Sequence, residues 1–413
     1  MVSIKIEFKW RDVLLFLAGV GLLALGITVY RQKYVNTEFQ VVDCLGGNIF
    51  PSYILSVATT NLNLIHPIDT PYVGNPKMPF AIRIRSRERG TKVRVEVSTS
   101  EFFSSSVSEF VLPRSHTDYV VYPDIIWNYD ALRNNRQAAP VSVVVKVNEA
   151  GEDLGQRVHI MSVRSINECL LGYNMVQGKS TRFQNTGMCF AAYVNEEHPM
   201  IDKLLREALN SGIVNRFLGY QATRQVCRQV YALWNTLQHR DFKYSSVSYS
   251  SLSSNVVYSQ RVRTISDALN SSQINCVDGS VLFASLLRAI NIDPVLIRIP
   301  GHMFVGFYTD HKHKSMQCLE TTMIGDADFD EFFPNEQLDS TLSKVSRAQA
   351  SRLTFEKSMQ YANRKYAQYA QKLRTNSAGF MFLEITKPAQ QDPAYRNVAA
   401  GYTMGSEFPL ILR

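Results

Sequence analysis

The segment NCVDGS (275–280) carries the residues best suited to chemistry in this 413-residue chain. Asn275 is a good N-cap and Asp278, three residues later, can complete a capping box, which places Cys276 at the first helical position. The positive end of a helix dipole favours the thiolate, the nucleophilic form of cysteine. Asp278 opposes this effect, so a cationic imidazole partner is still needed. Taken alone, a cysteine at a helix start is more often a small buried hydrophobe.

His302 and Glu320 are the candidate partners of this thiol. His302 follows a Pro-Gly turn at the start of a predicted strand, and imidazole can accept a thiol proton near neutral pH. If this strand and the next form a hairpin with Phe304 opposite Glu320, the two side chains become diagonal neighbours, about 7–8 Å apart at the backbone. The carboxylate would then fix the imidazole tautomer. A one-residue slip would place the two side chains on opposite faces.

An acyl-transfer site also needs hydrogen-bond donors for the developing oxyanion. The backbone N–H of Cys276 at a helix start is the natural first donor. Gln260 or Trp234 could supply the second, although each could equally be structural. The six cysteines contain no CxxC pair and no Cys/His cluster with zinc-finger spacing, so we expect neither a metal nor a cofactor.

Residues 260–323 resemble the core of bacterial transglutaminase-like domains. The shared features are Asn-Cys-x-Asp opening a buried helix, LLRAINIDP (286–294) ending it, PGHMF (300–304) at the next strand and LETT (319–322) beyond. The resemblance implies a papain-like α+β fold and a Cys-His-acid triad. In that triad Cys276 is the nucleophile, His302 the base and Glu320 the acidic third member, where aspartate is commoner.

The expected activity is acyl transfer on an amide through a thioester at Cys276. Water as acceptor would give a peptidase, amidase or deamidase, whereas an amine would give a crosslinking transglutaminase. We rank hydrolysis of a protein or peptide at the cell envelope first. The alternative is a catalytically silent, membrane-anchored binding or assembly protein with the same fold. The sequence defines neither the acceptor nor the oligomeric state.

The first thirty residues predict a membrane anchor. Residues 13–30 hold no charge, and eighteen residues at a rise of 1.5 Å reach about 27 Å, just enough to cross a bilayer core. No small-x-small cleavage site follows, which favours a transmembrane signal anchor over a cleaved signal peptide. Three basic residues precede the apolar run and two follow it. This bias predicts a short cytoplasmic N-terminus over 1–12 and a periplasmic or extracellular body.

The rest of the chain predicts two domains and a tail. Over 40–165, alternating runs such as TKVRVEVST (91–99) are separated by turn residues, a pattern typical of an all-β immunoglobulin-like sandwich. Over 166–386, amphipathic helices, a buried helix and three strands predict the α+β domain. Residues 387–413 form a C-terminal tail.

Charge and composition restrict the partners. The net charge of +8 suggests affinity for anionic surfaces, but Lys and Arg are scattered rather than gathered in one tract with interleaved aromatics. We therefore expect no nucleic acid, and a protein or peptide substrate instead. The Ser-rich stretch 245–255 is a candidate gate over the site.

Overall fold

The N-terminal helix α1 (Trp10–Tyr30) forms over the predicted apolar run. Among the residues that the computed structural model describes, however, no helix is both long and apolar enough to cross a membrane. The predicted transmembrane anchor over 13–30 is therefore wrong, and so is the single-pass membrane location that depended on it. The described residues are 10–30, 39–58, 70–177, 180–240, 242–245, 252–375, 377, 379–385 and 402–403.

The described residues belong to two compact units. The first comprises Met1–Asn48, Asn63–Ala131 and Pro140–Ser162, and the second comprises Ile49–Leu62, Leu132–Ala139 and Val163–Arg413. The second unit therefore takes two short segments from the part of the sequence that alternates like strands.

Strands dominate the first unit. They are β1 (Gln40–Asp43), β2 (Asn48–Ile49), β3 (Tyr72–Gly74), β4 (Phe80–Arg85), β5 (Thr91–Val97), β6 (Phe103–Ser104), β7 (Ser106–Leu112), β8 (Asp118–Tyr122), β9 (Ile126–Trp127), β10 (Ala139–Glu149) and β11 (Glu152–Val163). The sheet orders are β1-β4-β8-β3, β2-β11-β10-β5-β7 and β6-β9. Val93, Val95 and Val97 of β5 are buried and alternate with more exposed residues, as the period of two in the sequence requires.

The prediction of an all-β immunoglobulin-like sandwich over 40–165 is wrong. Two helices, α2 (Pro51–Val57) and α3 (Tyr129–Asn134), interrupt the strands, and β3 pairs in parallel with β8. In α2, proline occupies the first turn, where its missing N–H costs nothing, and Tyr53, Ile54 and Val57 are buried at helical spacing. The chain is mixed α/β with several sheets.

The second unit contains α2 together with the helices and strands that follow β11. Its helices are α4 (Pro199–Asn210), α5 (Thr223–Gln238), α6 (Ile265–Ser271), α7 (Cys276–Ala289), α8 (Phe329–Phe332), α9 (Leu338–Leu342) and α10 (Arg347–Arg374). Its strands are β12 (Glu168–Gln177), β13 (Ser180–Asn185), β14 (Lys243–Tyr244), β15 (Leu252–Ser253), β16 (Val257–Arg261), β17 (Gln273–Ile274), β18 (Pro294–Ile299), β19 (His302–Tyr308), β20 (Met316–Leu319), β21 (Met381–Ile385) and β22 (Tyr402–Thr403). The sheet orders are β13-β12-β16-β15, β14-β17 and β20-β19-β18-β21-β22.

The core of this unit lies around the sheet β20-β19-β18-β21-β22. Helix α7 packs against β18 and β19, and every residue from Cys276 to Arg288 is buried. Helix α10 packs against β20 and β21. One apolar cluster joins this sheet to α10 through Val295, Ile297, Ile299, Phe304, Tyr308, Met316, Cys318, Ala362, Tyr366, Leu373, Phe380 and Phe382. Helix α10 starts at Arg347, because Ser346 and Gln349 form a capping box there.

Candidate active site

Cys276 lies at the first position of α7, as the capping pattern predicts. The Asn275 side chain accepts hydrogen bonds from the backbone N–H groups of Val277 and Asp278 at 2.8 and 2.9 Å. The Asp278 carboxylate accepts the N–H of Asn275 at 3.1 Å and completes the capping box. The N–H of Cys276 makes no hydrogen bond with any described residue. It is therefore available as an oxyanion donor beside its own sulfur.

Asp278 also fixes this helix start to the segment that follows β16. Its carboxylate accepts the backbone N–H of Arg263 at 2.7 Å and pairs with the Arg263 guanidinium at 2.8 Å. The Asp278 side chain is fully buried. Burial raises the pKa of Asp278 and outweighs the opposing effects of its bonds to Arg263 and Asn275. The aspartate of the Asn-Cys-x-Asp pattern is thus committed to holding the helix in place.

His302 and Glu320 lie side by side through the predicted strand register. Val305 pairs with Leu319 and Gly306 with Cys318. Continued by one residue, this register would place residue 304 opposite residue 320, which is the register that the sequence predicts. His302 Nε2 lies 2.6 Å from Oε2 of Glu320, a short charge-assisted contact.

The sequence predicts Glu320 within a strand, but this residue lies just beyond the end of β20. The strand ends at Leu319, and Glu320 caps a 3-10 helix, Thr321–Met323. Its Oε1 accepts the N–H of Thr322 at 3.1 Å and the Thr322 hydroxyl at 2.8 Å. One carboxylate oxygen is therefore bound within its own turn, and the other faces His302.

Ser358 of α10 holds the backbone of Glu320 from the other side. Its hydroxyl accepts the Glu320 N–H at 2.9 Å and donates to the Glu320 carbonyl at 3.0 Å. Both residues are fully buried. These two hydrogen bonds replace the strand hydrogen bonds that the Glu320 backbone lacks. The sequence pattern does not distinguish Ser358 from the other serines of α10.

Gly279 brings the start of α7 against the same 3-10 helix. A Cβ at position 279 would lie 2.7 Å from Thr321 Oγ1 and 2.9 Å from Thr321 Cβ, distances too short for any side chain. The Ser280 hydroxyl, one residue on, donates to the Cys276 carbonyl at 2.6 Å and lies 3.4 Å from Thr321 Oγ1. Thr321, the residue after Glu320, therefore contacts the first turn of α7, which carries the Cys276 thiol.

The Cys276 side chain completes the constellation, because it lies near enough to the His302 ring to help raise the pKa of His302. Because Nε2 is engaged by Glu320, Nδ1 is the ring nitrogen left for the sulfur. Burial lowers the pKa of His302, but the charge of Glu320 and the hydrogen bonds with Cys276 and Glu320 outweigh it and raise the pKa from 6.5 to about 10. His302 is consequently cationic at neutral pH, with its side chain 25% exposed.

The other predicted site residues make no contact with the triad or already use their hydrogen-bond donor within the core. Gln260 belongs to β16, where its backbone pairs with Cys169, and its side chain makes no hydrogen bond with the triad in the described part of the chain. The Trp234 indole N–H donates to Thr354 Oγ1 at 3.2 Å inside the core, which excludes it as a free oxyanion donor. Residues 246–251 of the candidate gate lie outside the described residues.

No group of three or more His, Cys, Asp or Glu side chains that could hold a metal ion occurs within the described ranges. Comparison with family models, curated proteins and solved structures finds no match to this chain. The resemblance to transglutaminase-like domains therefore stays a prediction.

Proposed function

We propose that this protein is a thiol enzyme that cleaves amide bonds of a peptide or protein through a thioester at Cys276. The observation that carries the proposal is the ordered contact of three groups. Glu320 lies 2.6 Å from Nε2 of the His302 ring, and Cys276 lies near enough to the ring to help raise its pKa. A nucleophile beside a base that is oriented by a third group is the arrangement that nucleophilic catalysis requires.

Acylation begins with a proton already on His302. The Cys276 thiolate attacks the amide carbon and forms the C–S bond, while the carbonyl oxygen takes up negative charge. The free N–H of Cys276 is placed to stabilise that charge. When the C–N bond breaks, the imidazolium gives its proton to the leaving amine. The products of this half-reaction are a free amine and a thioester, with His302 neutral.

Deacylation reverses the roles. Neutral His302 removes a proton from water, the resulting hydroxide attacks the thioester carbon, and the C–S bond breaks to give a carboxylic acid and the Cys276 thiolate. His302 ends as imidazolium, so the proton balance of the cycle closes. Water needs no binding pocket of its own, and for this reason we propose hydrolysis rather than crosslinking.

The other cysteines supply internal controls. Burial raises the pKa of Cys227 to about 11 and that of Cys44 to about 12. Burial raises the pKa of the remaining three, Cys169, Cys189 and Cys318, as well. At neutral pH all five are protonated, poorly reactive thiols.

Limited alkylation with iodoacetamide at pH 7, followed by peptide mass spectrometry, tests the proposal. We expect label at Cys276 well before Cys44 or Cys227, and loss of that preference in His302→Ala. A burst of nitrophenol from p-nitrophenyl acetate, stoichiometric with protein and absent in Cys276→Ser, would report acyl-enzyme formation. Equal labelling of the accessible cysteines with no burst would contradict the proposal and favour a catalytically silent binding protein.

A further inference from the structure

A cleft of about 630 Å³ lies between α5 and α10, and none of the triad residues lines it. Three arginines line it: Arg224 and Arg228 from α5 and Arg352 from α10. The cleft is large enough for a small-molecule ligand, because such sites typically occupy about 300–1,000 Å³.

The arginines carry more positive charge than their surroundings neutralise. Within the described part of the chain, Arg224 makes no hydrogen bond or ion pair, and Arg228 uses only Nε, which donates to the Ile213 carbonyl at 2.8 Å. Arg352 Nε pairs with Glu356 at 3.0 Å. Among the described residues that line the cleft, Glu356 is the one acid, so three cations face one anion and their net charge is +2.

The sequence of α5 leaves this excess without a counter-charge on the same helix. Arg224 and Arg228 are four residues apart, so they lie on one face of the helix, where like charges repel. The helix TRQVCRQVYALWNTLQ contains no aspartate or glutamate that could relieve the repulsion. An anion bound between the two guanidinium groups would relieve it.

Aromatic rings form the apolar side of the cleft. The Tyr231 and Phe355 rings lie 5.3 Å apart, and Phe355 is 6% exposed, so it forms a fixed floor. The Arg352 guanidinium lies 5.7 Å from the Tyr231 ring centre, which holds that cation at the edge of the floor. A ligand that fits both features has an anionic group and a flat or apolar body.

We propose that this cleft is a binding site for a small-molecule phosphate monoester that carries an aromatic or apolar body. A phosphate monoester bears about −1.5 to −2 charges at pH 7, which matches the net charge of the lining. Planar guanidinium groups bind phosphate oxygens in a bidentate manner. A monocarboxylate would leave one positive charge uncompensated.

The cleft also contains a thiol, but it does not form a second nucleophilic site. Cys227 lies between the two α5 arginines in sequence and lines the cleft. Burial raises its pKa to about 11, so it stays protonated at neutral pH. The cleft therefore binds its ligand and does not react with it.

Calorimetric titration of the full chain with phenyl phosphate tests the proposal. We expect binding that weakens with added salt and that falls on the order of tenfold or more in Arg224→Gln and in Arg228→Gln, since each removes charge-assisted hydrogen bonds. Arg182→Gln is the matched control: it removes the same charge from an exposed position of β13 and should bind as the wild type does. Benzyl alcohol should not bind.

Three results would overturn the proposal, provided circular dichroism shows a folded protein. The first is the absence of phenyl phosphate binding at millimolar concentration. The second is unchanged affinity in both Arg224→Gln and Arg228→Gln, and the third is an equal loss in Arg182→Gln. Cys276→Ser should bind phenyl phosphate normally, so this proposal and the proposed catalysis can fail separately.

Discussion

Replacing Glu320 by glutamine removes one charge from the triad and leaves its shape in place. The amide oxygen can still accept the hydrogen bonds that Thr322 donates to Oε1, so the 3-10 turn keeps its cap. The contact that changes is the one at 2.6 Å with His302 Nε2. A neutral partner no longer stabilises imidazolium, so burial of His302 becomes the dominant effect and its pKa falls.

The magnitude combines the direction of the His302 pKa shift with the usual strength of a hydrogen bond to a charged group. The pKa of His302 rises from 6.5 to about 10, which corresponds to about 5 kcal/mol at about 1.4 kcal/mol for each tenfold change in proton affinity. Cys276 supplies part of this rise, and a hydrogen bond to a charged group contributes about 1.5–3 kcal/mol. We assign that range to Glu320. Its loss should therefore reduce the thiolate–imidazolium pair, and the rate of Cys276 alkylation at pH 7, by about 10- to 150-fold.

The assay is the alkylation rate of Cys276 between pH 5 and pH 10. Wild-type Cys276 should react fast at neutral pH, where His302 is protonated, whereas Glu320→Gln should react slowly there. The difference between the two proteins should shrink toward pH 10, because His302 of the wild type then loses its own proton. Glu320→Asp keeps the charge on a shorter arm and should be intermediate. A Glu320→Gln protein with the wild-type rate and the wild-type pH profile would refute the reasoning.

Three further predictions concern the supports of the triad. Ser358→Ala should slow Cys276 labelling and lower the free energy of unfolding by about 1–3 kcal/mol, because Glu320 loses two buried hydrogen bonds. Ser351→Ala is the matched control on α10: it removes a buried hydrogen bond to Asn235, so it should lower the urea midpoint but leave labelling unchanged. Asn275→Ala should cost about 1 kcal/mol in urea unfolding. The stability that the raised pKa of His302 contributes is fully present below pH 6.5 and is lost as the pH rises to about 10. The wild type should therefore exceed His302→Gln in unfolding free energy by less and less across that range.

The start of α7 and the register of β19 with β20 follow from the sequence because each depends on local rules. A capping box fixes where a helix begins, and strand alternation fixes which side chains share a face. Given the hairpin register, these two rules predict that His302 and Glu320 lie together. They require no knowledge of what surrounds the pair.

The supports of the site could not be predicted in the same way. Ser358 lies 38 residues beyond Glu320 in the sequence, and only the packing of α10 against β20 brings them together. Arg263 likewise reaches Asp278 through tertiary packing. The short helix α2 was missed because seven residues give too few turns for a helical period to stand out among alternating strands.

The glutamate at position 320, where aspartate is commoner in the resembling family, has a physical explanation in the way β20 ends. The Glu320 backbone is held by Ser358, and its carboxylate serves two partners at once: Oε1 caps the 3-10 turn through Thr322, and Oε2 reaches His302. An aspartate at this position would be shorter by one carbon–carbon bond, about 1.5 Å, and with the backbone fixed it could keep the cap or the imidazole contact but not both. The longer side chain is therefore what allows one residue to end the strand and to orient the imidazole.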